Sequence, residues 1–251
     1  MSKDSSAEQI AANGARMTSE PKRASVPLGI GVGTTVAAAA ASWALPDDYG
    51  AVAVGLIFIA VVHNRVLARE STAVIREHGL GLGGIFEPEP LNPRWIAKSA
   101  FEALAWAAAL ALLTFPFFWL GYVFWYEPAR GFSALESLRM APELAGQLLV
   151  VAIPEECFYR GYLLSALDRV WPPRFRVAGA YVGPALVVTS AIFAVGHLLT
   201  EPYPGRLAVF FPALLFGWLR ARTGGVGASI AFHALCNVFA SALGYGYGLI
   251  P

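Results

Sequence analysis

The groups in this chain that could do chemistry are few: two adjacent carboxylates, an arginine, two histidines and an asparagine, all set in apolar sequence. Glu155, Glu156 and Arg160 lie in Ile153-Pro-Glu-Glu-Cys-Phe-Tyr-Arg-Gly161, inside a segment that is otherwise apolar from about Leu144 to Leu167. Such a segment has the length and composition of a bilayer-spanning helix, where an ionisable side chain costs roughly 3 kcal/mol or more and normally has a partner or a task. Arg160 follows Glu156 by four residues, so the two share a helix face and can neutralise each other. Glu155 points about 100° away and has no partner on its own helix. A carboxylate left unpaired in a low-dielectric site is suited to general base or acid work.

The other groups come from two later segments. Phe193 and His197 are one turn apart in one, and His233 and Asn237 are one turn apart in the other. Each grouping alone is ordinary, since a buried histidine is often only hydrogen-bonded and a Glu–Arg pair often only structural. Together they are the parts needed to hydrolyse a peptide bond within a membrane. Glu155 could take a proton from water, and His or Asn donors could hold the developing oxyanion. The same set could bind a divalent metal such as zinc through Glu155, His197 and His233, leaving water as the open ligand. H-E-x-x-H is absent, so the usual zinc-protease pattern gives no support.

Composition sets the frame for these groups. Of the 251 residues, 57% are hydrophobic and 14% charged, against about a quarter charged in soluble domains. The formal net charge is +1 with no basic stripe, which removes the electrostatic case for nucleic acid. Cys157 and Cys236 both sit in apolar sequence without C-x-x-C spacing and read as buried small hydrophobes. No internal repeat at a fixed period is visible, which counts against a solenoid or a duplicated transporter.

Residues 1–25 are polar and read as a disordered cytoplasmic tail, not a secretory signal, because the apolar run begins only after Pro27. Apolar segments at about 27–45, 50–67, 99–125, 142–168, 178–199, 206–221 and 226–249 predict an all-α polytopic bundle of about seven spans. The organisation expected is an N-terminal membrane region over 26–140, with a solvated cytoplasmic loop at 68–98, and a catalytic core over 141–250. With the N-terminus inside, fourteen Lys and Arg fall in inner segments and three, Arg130, Arg139 and Arg206, in outer ones. That bias fits an integral protein of a bacterial inner membrane, N-terminus cytoplasmic. One tension follows. Straight helices would separate Glu155 and His197 by roughly 10–15 Å in depth. Either the fifth segment is broken or tilted, with Glu201-Pro-Tyr-Pro-Gly205 folding back into protein, or the segment boundaries lie elsewhere.

The run Glu155-Glu-Cys-Phe-Tyr-Arg-Gly-Tyr-Leu resembles the first motif of the CPBP intramembrane proteases, the group of the type II CAAX prenyl endopeptidase and bacteriocin-processing proteins. Ser190-Ala-Ile-Phe-Ala-Val-Gly-His197 resembles the second. Phe210 to Gly225, running on to His233-Ala-Leu-Cys-Asn237, resembles the third. The resemblance covers about 145–245 and implies that Glu155 activates water, that His197, His233 and Asn237 bind or stabilise the reacting centre, and that Glu156, Arg160 and Phe193 support it. It leaves open a metalloprotease or a metal-independent glutamate protease. It implies a membrane-embedded or lipidated protein substrate: a CAAX-like end, a C-terminal tail or a leader peptide. Two readings from other classes remain at this point: a non-catalytic binding or immunity protein of the same fold, and a proton-coupled transporter.

Overall fold

The computed structural model describes residues 23–250, so most of the expected tail falls outside the described residues. Helix α1 spans Ser25–Ala44 and α2 spans Asp47–Arg65, joined at Pro46. After a 3-10 turn at Leu67–Arg69 come the short α3, Thr72–Glu77, and the long α4, Pro93–Tyr126, capped by the Asn92 side chain, which accepts from the Trp95 amide. A short α5, Ala134–Ser137, and a 3-10 stretch, Leu138–Glu143, lead into α6, the continuous helical run 144–168. Strands β1, Phe175–Val177, and β2, Ala180–Val182, form an antiparallel hairpin. Three helices close the chain: α7, Pro184–Thr200; α8, Phe210–Thr223; and α9, Gly227–Tyr247.

The fold is the all-helical membrane bundle expected. α6 is its axis, touching α1, α2, α7, α8 and α9, while α4 lies outside against α9. Four helices are long and apolar enough to cross a bilayer: Ser25–Ala44, Tyr49–Arg69, Pro93–Tyr126 and Gly227–Tyr247. The other three expected spans differ. α6 is built of alternating α and π turns, α7 has 17 residues and α8 has 14, so seven full crossings are not established. The fifth segment also begins later than expected, because 175–182 forms the hairpin. Outward-facing Leu112, Phe117 and Phe124 on α4 are more than two-thirds exposed, an apolar surface suited to lipid.

Pro154 explains the irregularity of α6. It has no amide hydrogen to give Val150, its i−4 partner, and the turn before it, Gln147–Ala152, widens to π geometry instead of breaking. α2 uses the carbonyl left over. A Cβ built on Gly55 would lie 2.8 Å from the Val150 oxygen, so only glycine lets the two helices approach here.

The segment 68–98 is mostly exposed but is anchored at a few points. Ile75, Leu80, His78 and Glu87 in it are buried. The Glu87 carboxylate accepts from the Leu82 and Gly84 amides at 3.0 and 3.1 Å and tethers the chain. Gly79 sits at φ 69° with the Arg220 guanidinium packed where a side chain would go.

Basic residues separate along the fold. Arg220 donates to the Glu77 carbonyl near the start of α9, whereas Arg130 donates to the Tyr247 carbonyl at its end. The 21 residues of α9 put about 31 Å between those levels.

Candidate active site

Glu156 is the most buried ionisable group of the site, with no exposed surface. One of its oxygens accepts from Arg160 Nη1 at 2.9 Å and from His233 Nδ1 at 2.9 Å. Arg160 is 1% exposed; its Nη2 donates to the Ala213 carbonyl at 3.0 Å. Its guanidinium lies over Phe193 and Phe216, 4.6 and 5.1 Å from the ring centroids. Two rings and a carboxylate thus replace the water that the cation gives up. The same rings bracket the imidazoles: Phe216 stacks on His233 at 4.7 Å, and Phe193 lies 4.4 Å from His197.

Glu155 faces elsewhere, into a cavity of about 440 Å³. Its Oε2 has no hydrogen-bond partner among the described residues and lies 3.8 Å from His233 Nε2. That gap is too long for a direct hydrogen bond. His197, Asn237, Gln147, Tyr159 and Arg206 line the same cavity. His197 Nδ1 is 3.1 Å from the Phe193 carbonyl, an acceptor only, so that nitrogen carries the proton and Nε2 is left as an acceptor. The bond from His233 Nδ1 to Glu156 gives the same tautomer there.

The seven residues singled out in the sequence therefore come together: Glu155, His197 and Asn237 on the cavity, and His233, Glu156, Arg160 and Phe193 packed behind it. The depth mismatch disappears because α7 stops at Thr200 and the chain turns through Pro202 into the 3-10 turn Pro204–Val209, which brings Arg206 over the cavity.

Four cavity residues carried no signal of their own. Gln147 accepts from Asn237 Nδ2 at 2.9 Å. Tyr159 donates to Thr35 of α1, whose own hydroxyl is spent on the Gly31 carbonyl. Arg206 pairs with Glu201 at 3.3 Å. Thr35, polar in an alanine-rich helix, and Gln147, an amide in an apolar run, were the available clues.

Residues 137–239 match the Type II CAAX prenyl endopeptidase Rce1-like family. This is the family of the motif resemblance, and the matched stretch contains every residue of the Glu155–His233 constellation. No curated protein and no solved structure matches the chain. Over that region the chain is similar to a family of membrane peptidases, and the chain's four long apolar helices, three of them outside the matched stretch, support an integral membrane protein.

The histidine geometry bears on a metal. Two imidazoles with Nδ1 anchored and Nε2 directed away are oriented as zinc ligands often are. Yet among the described residues no three His, Cys, Asp or Glu side chains are gathered closely enough to hold an ion. Glu155, His197 and His233 do not fit a single metal in this arrangement, and no step below is routed through one.

Proposed function

We propose that the chain is an intramembrane endopeptidase in which the Glu155 carboxylate activates water to hydrolyse a peptide bond in the C-terminal tail of a membrane-embedded or lipidated protein. The observation that carries this is the unpartnered Glu155 oxygen, buried 3.8 Å from an imidazole whose tautomer is held by a second, fully buried carboxylate. A bridging water would give one hydrogen to Glu155 and one to His233 Nε2. Glu155 takes its proton, the hydroxide oxygen bonds to the carbonyl carbon, and the carbonyl electrons move to oxygen. Collapse returns them, breaks the C–N bond and passes the proton from Glu155 to the leaving nitrogen, giving a carboxylate and an amine.

The oxyanion needs donors, and with Nδ1 turned to the Phe193 carbonyl and to Glu156, His197 and His233 present Nε2 as the acceptor on this side. The role expected of histidine therefore falls to amides: the second N–H of Asn237 and the NH₂ of Gln147. His197 Nε2 is free to accept the peptide N–H and orient the strand. Glu156 and Arg160 position His233 without touching substrate.

Arg206 favours a C-terminal tail. Among the described residues it is the one Lys or Arg lining the cavity, with Glu201 as its ion-pair partner, and a free carboxylate is a natural further partner for its guanidinium. With the arginine-rich end cytoplasmic, the cavity lies in the outer half of the bilayer, and the tail would be presented there.

The test is purified protein in proteoliposomes, offered a lipidated peptide with a free C-terminus and the same peptide amidated, in water enriched in oxygen-18. The expected product carries one heavy oxygen in its new carboxylate, and the amidated peptide is cut about tenfold more slowly. Folded protein that cleaves neither peptide overturns the proposal.

A further inference from the structure

At the arginine-rich end, well away from Glu155, lies a second hollow of about 500 Å³ between α1, α2, α3 and α6. Arg23, Arg65, Arg69 and Arg169 line it, with His78 and Tyr162 on its wall. The lining has one carboxylate, Glu77, which pairs with Arg169 at 2.8 Å. Four guanidiniums against one carboxylate leave three positive charges. Among the described residues, Arg23, Arg65 and Arg69 have no carboxylate within ion-pair distance.

The hollow continues into a groove of mixed lining. Ile30 and Arg65 line both it and a space of about 660 Å³ between α1 and α2, where Gly29, Gly33, Ala60 and Val61 form the apolar part and Thr34 and Asn64 the polar part. A Cβ built on Gly29 or Gly33 meets nothing within 4 Å, so the missing side chains leave open room on the outer face of α1. Val26, Val32 and Val36 beside them are at least half exposed and face where lipid would be. The charged hollow thus adjoins a groove whose glycine side and exposed valines offer room and an apolar face to a hydrocarbon chain.

We propose that this hollow and groove hold one anionic phospholipid, its phosphate among Arg23, Arg65 and Arg69 and an acyl chain along Gly29 and Gly33. Phosphate is the anion whose oxygens match the guanidinium fork, and basic pockets between helices at a cytoplasmic surface suit such headgroups. A soluble phosphate could satisfy the arginines, but it would leave the apolar side of the groove exposed. The groove commits the site to a lipid. α1 also carries Thr35, which holds Tyr159 at the catalytic cavity, so an occupied site would brace the helix behind that wall.

Native mass spectrometry of the detergent-solubilised full chain tests this directly, with phosphatidylglycerol and phosphatidylcholine as probes at equal concentration. Phosphatidylglycerol should bind about tenfold more tightly, and Arg65→Gln with Arg69→Gln should remove that preference, since each basic residue contributes roughly fivefold near a charged headgroup. Gly33→Leu, which fills open groove and meets no neighbour, should weaken phosphatidylglycerol binding several-fold while leaving the melting temperature unchanged. Equal binding of the two lipids overturns the proposal, as does undiminished preference in the double arginine variant. Displacement of the lipid by millimolar inorganic phosphate would assign the arginines to a soluble anion and overturn the lipid assignment. The readout is independent of peptidase activity, so it stands or falls separately from the proposed reaction.

Discussion

Replacing Arg160 by Met would leave Glu156, with no exposed surface, as a buried carboxylate whose remaining partner is His233 Nδ1. Breaking a buried pair from one side costs about 3–5 kcal/mol. Glu156→Gln keeps the shape and both acceptor contacts at 2.9 Å but makes them neutral. Hydrogen bonds to charged groups are worth about 1.5–3 kcal/mol against about 0.5–1.5 for neutral ones, so two weakened bonds cost about 2–3 kcal/mol. The Arg160 cation left behind is held in part by the Phe193 and Phe216 rings. The double variant has no buried charge to strand and should lose only about 2–3 kcal/mol. The two substitutions should therefore couple by about 3–5 kcal/mol, measured by equilibrium unfolding in mixed micelles with denaturing detergent. Additivity within about 0.5 kcal/mol would refute the claim that these groups form one neutralising unit.

Acid should loosen the segment around His78 and Glu87 before the bundle. Burial holds the His78 pKa below its ordinary 6.5, so below that pH the unfolded segment takes up a proton that the folded one resists. For Glu87, burial alone would raise the pKa, but the Leu82 and Gly84 amides, with Arg76, outweigh it and hold the carboxyl below 4.5. Both contributions vanish as pH falls, the first below 6.5 and the second below 4.5, and protection factors at residues 78–92, corrected for the intrinsic pH dependence of amide exchange, should fall in that order. Protection factors that stay constant from pH 7 to 4 would contradict this. Gly55→Ala forces a methyl to 2.8 Å from the Val150 oxygen and should cost about 1–3 kcal/mol in the same unfolding assay. Protein shown by elemental analysis to lack zinc should keep its peptidase activity; activity lost on chelation and regained with zinc would reinstate a metal.

The site was legible because ionisable groups in apolar helices stand out: Glu155, Glu156, Arg160, His197 and His233 declared themselves by cost alone. What surrounds them did not. Thr35 and Tyr159 meet across 124 residues and Gln147 and Asn237 across 90, distances over which no local spacing rule operates. The π turns of α6 arise from a bond that Pro154 cannot make and from the approach of Gly55, a tertiary event. The second half of the hairpin, 178–182, reads as the start of a span because Ala178 to Val182 carries no charge. The hairpin's two-residue turn, Ala178 and Gly179, both at positive φ, is announced only by one glycine. The segment 68–98 looked solvated because its charges are mixed, yet Glu87 spends its carboxylate on two backbone amides and draws the chain inward.

The central claim is that Glu155, not Glu156, removes the proton from water. The most direct measurement is the single-turnover cleavage rate of Glu155→Gln in proteoliposomes with a membrane-bound peptide, beside a melting curve showing that the fold is intact. The account predicts a fall of about 10²–10⁴-fold, the usual contribution of a general base. A rate within a few-fold of the unaltered protein would contradict it.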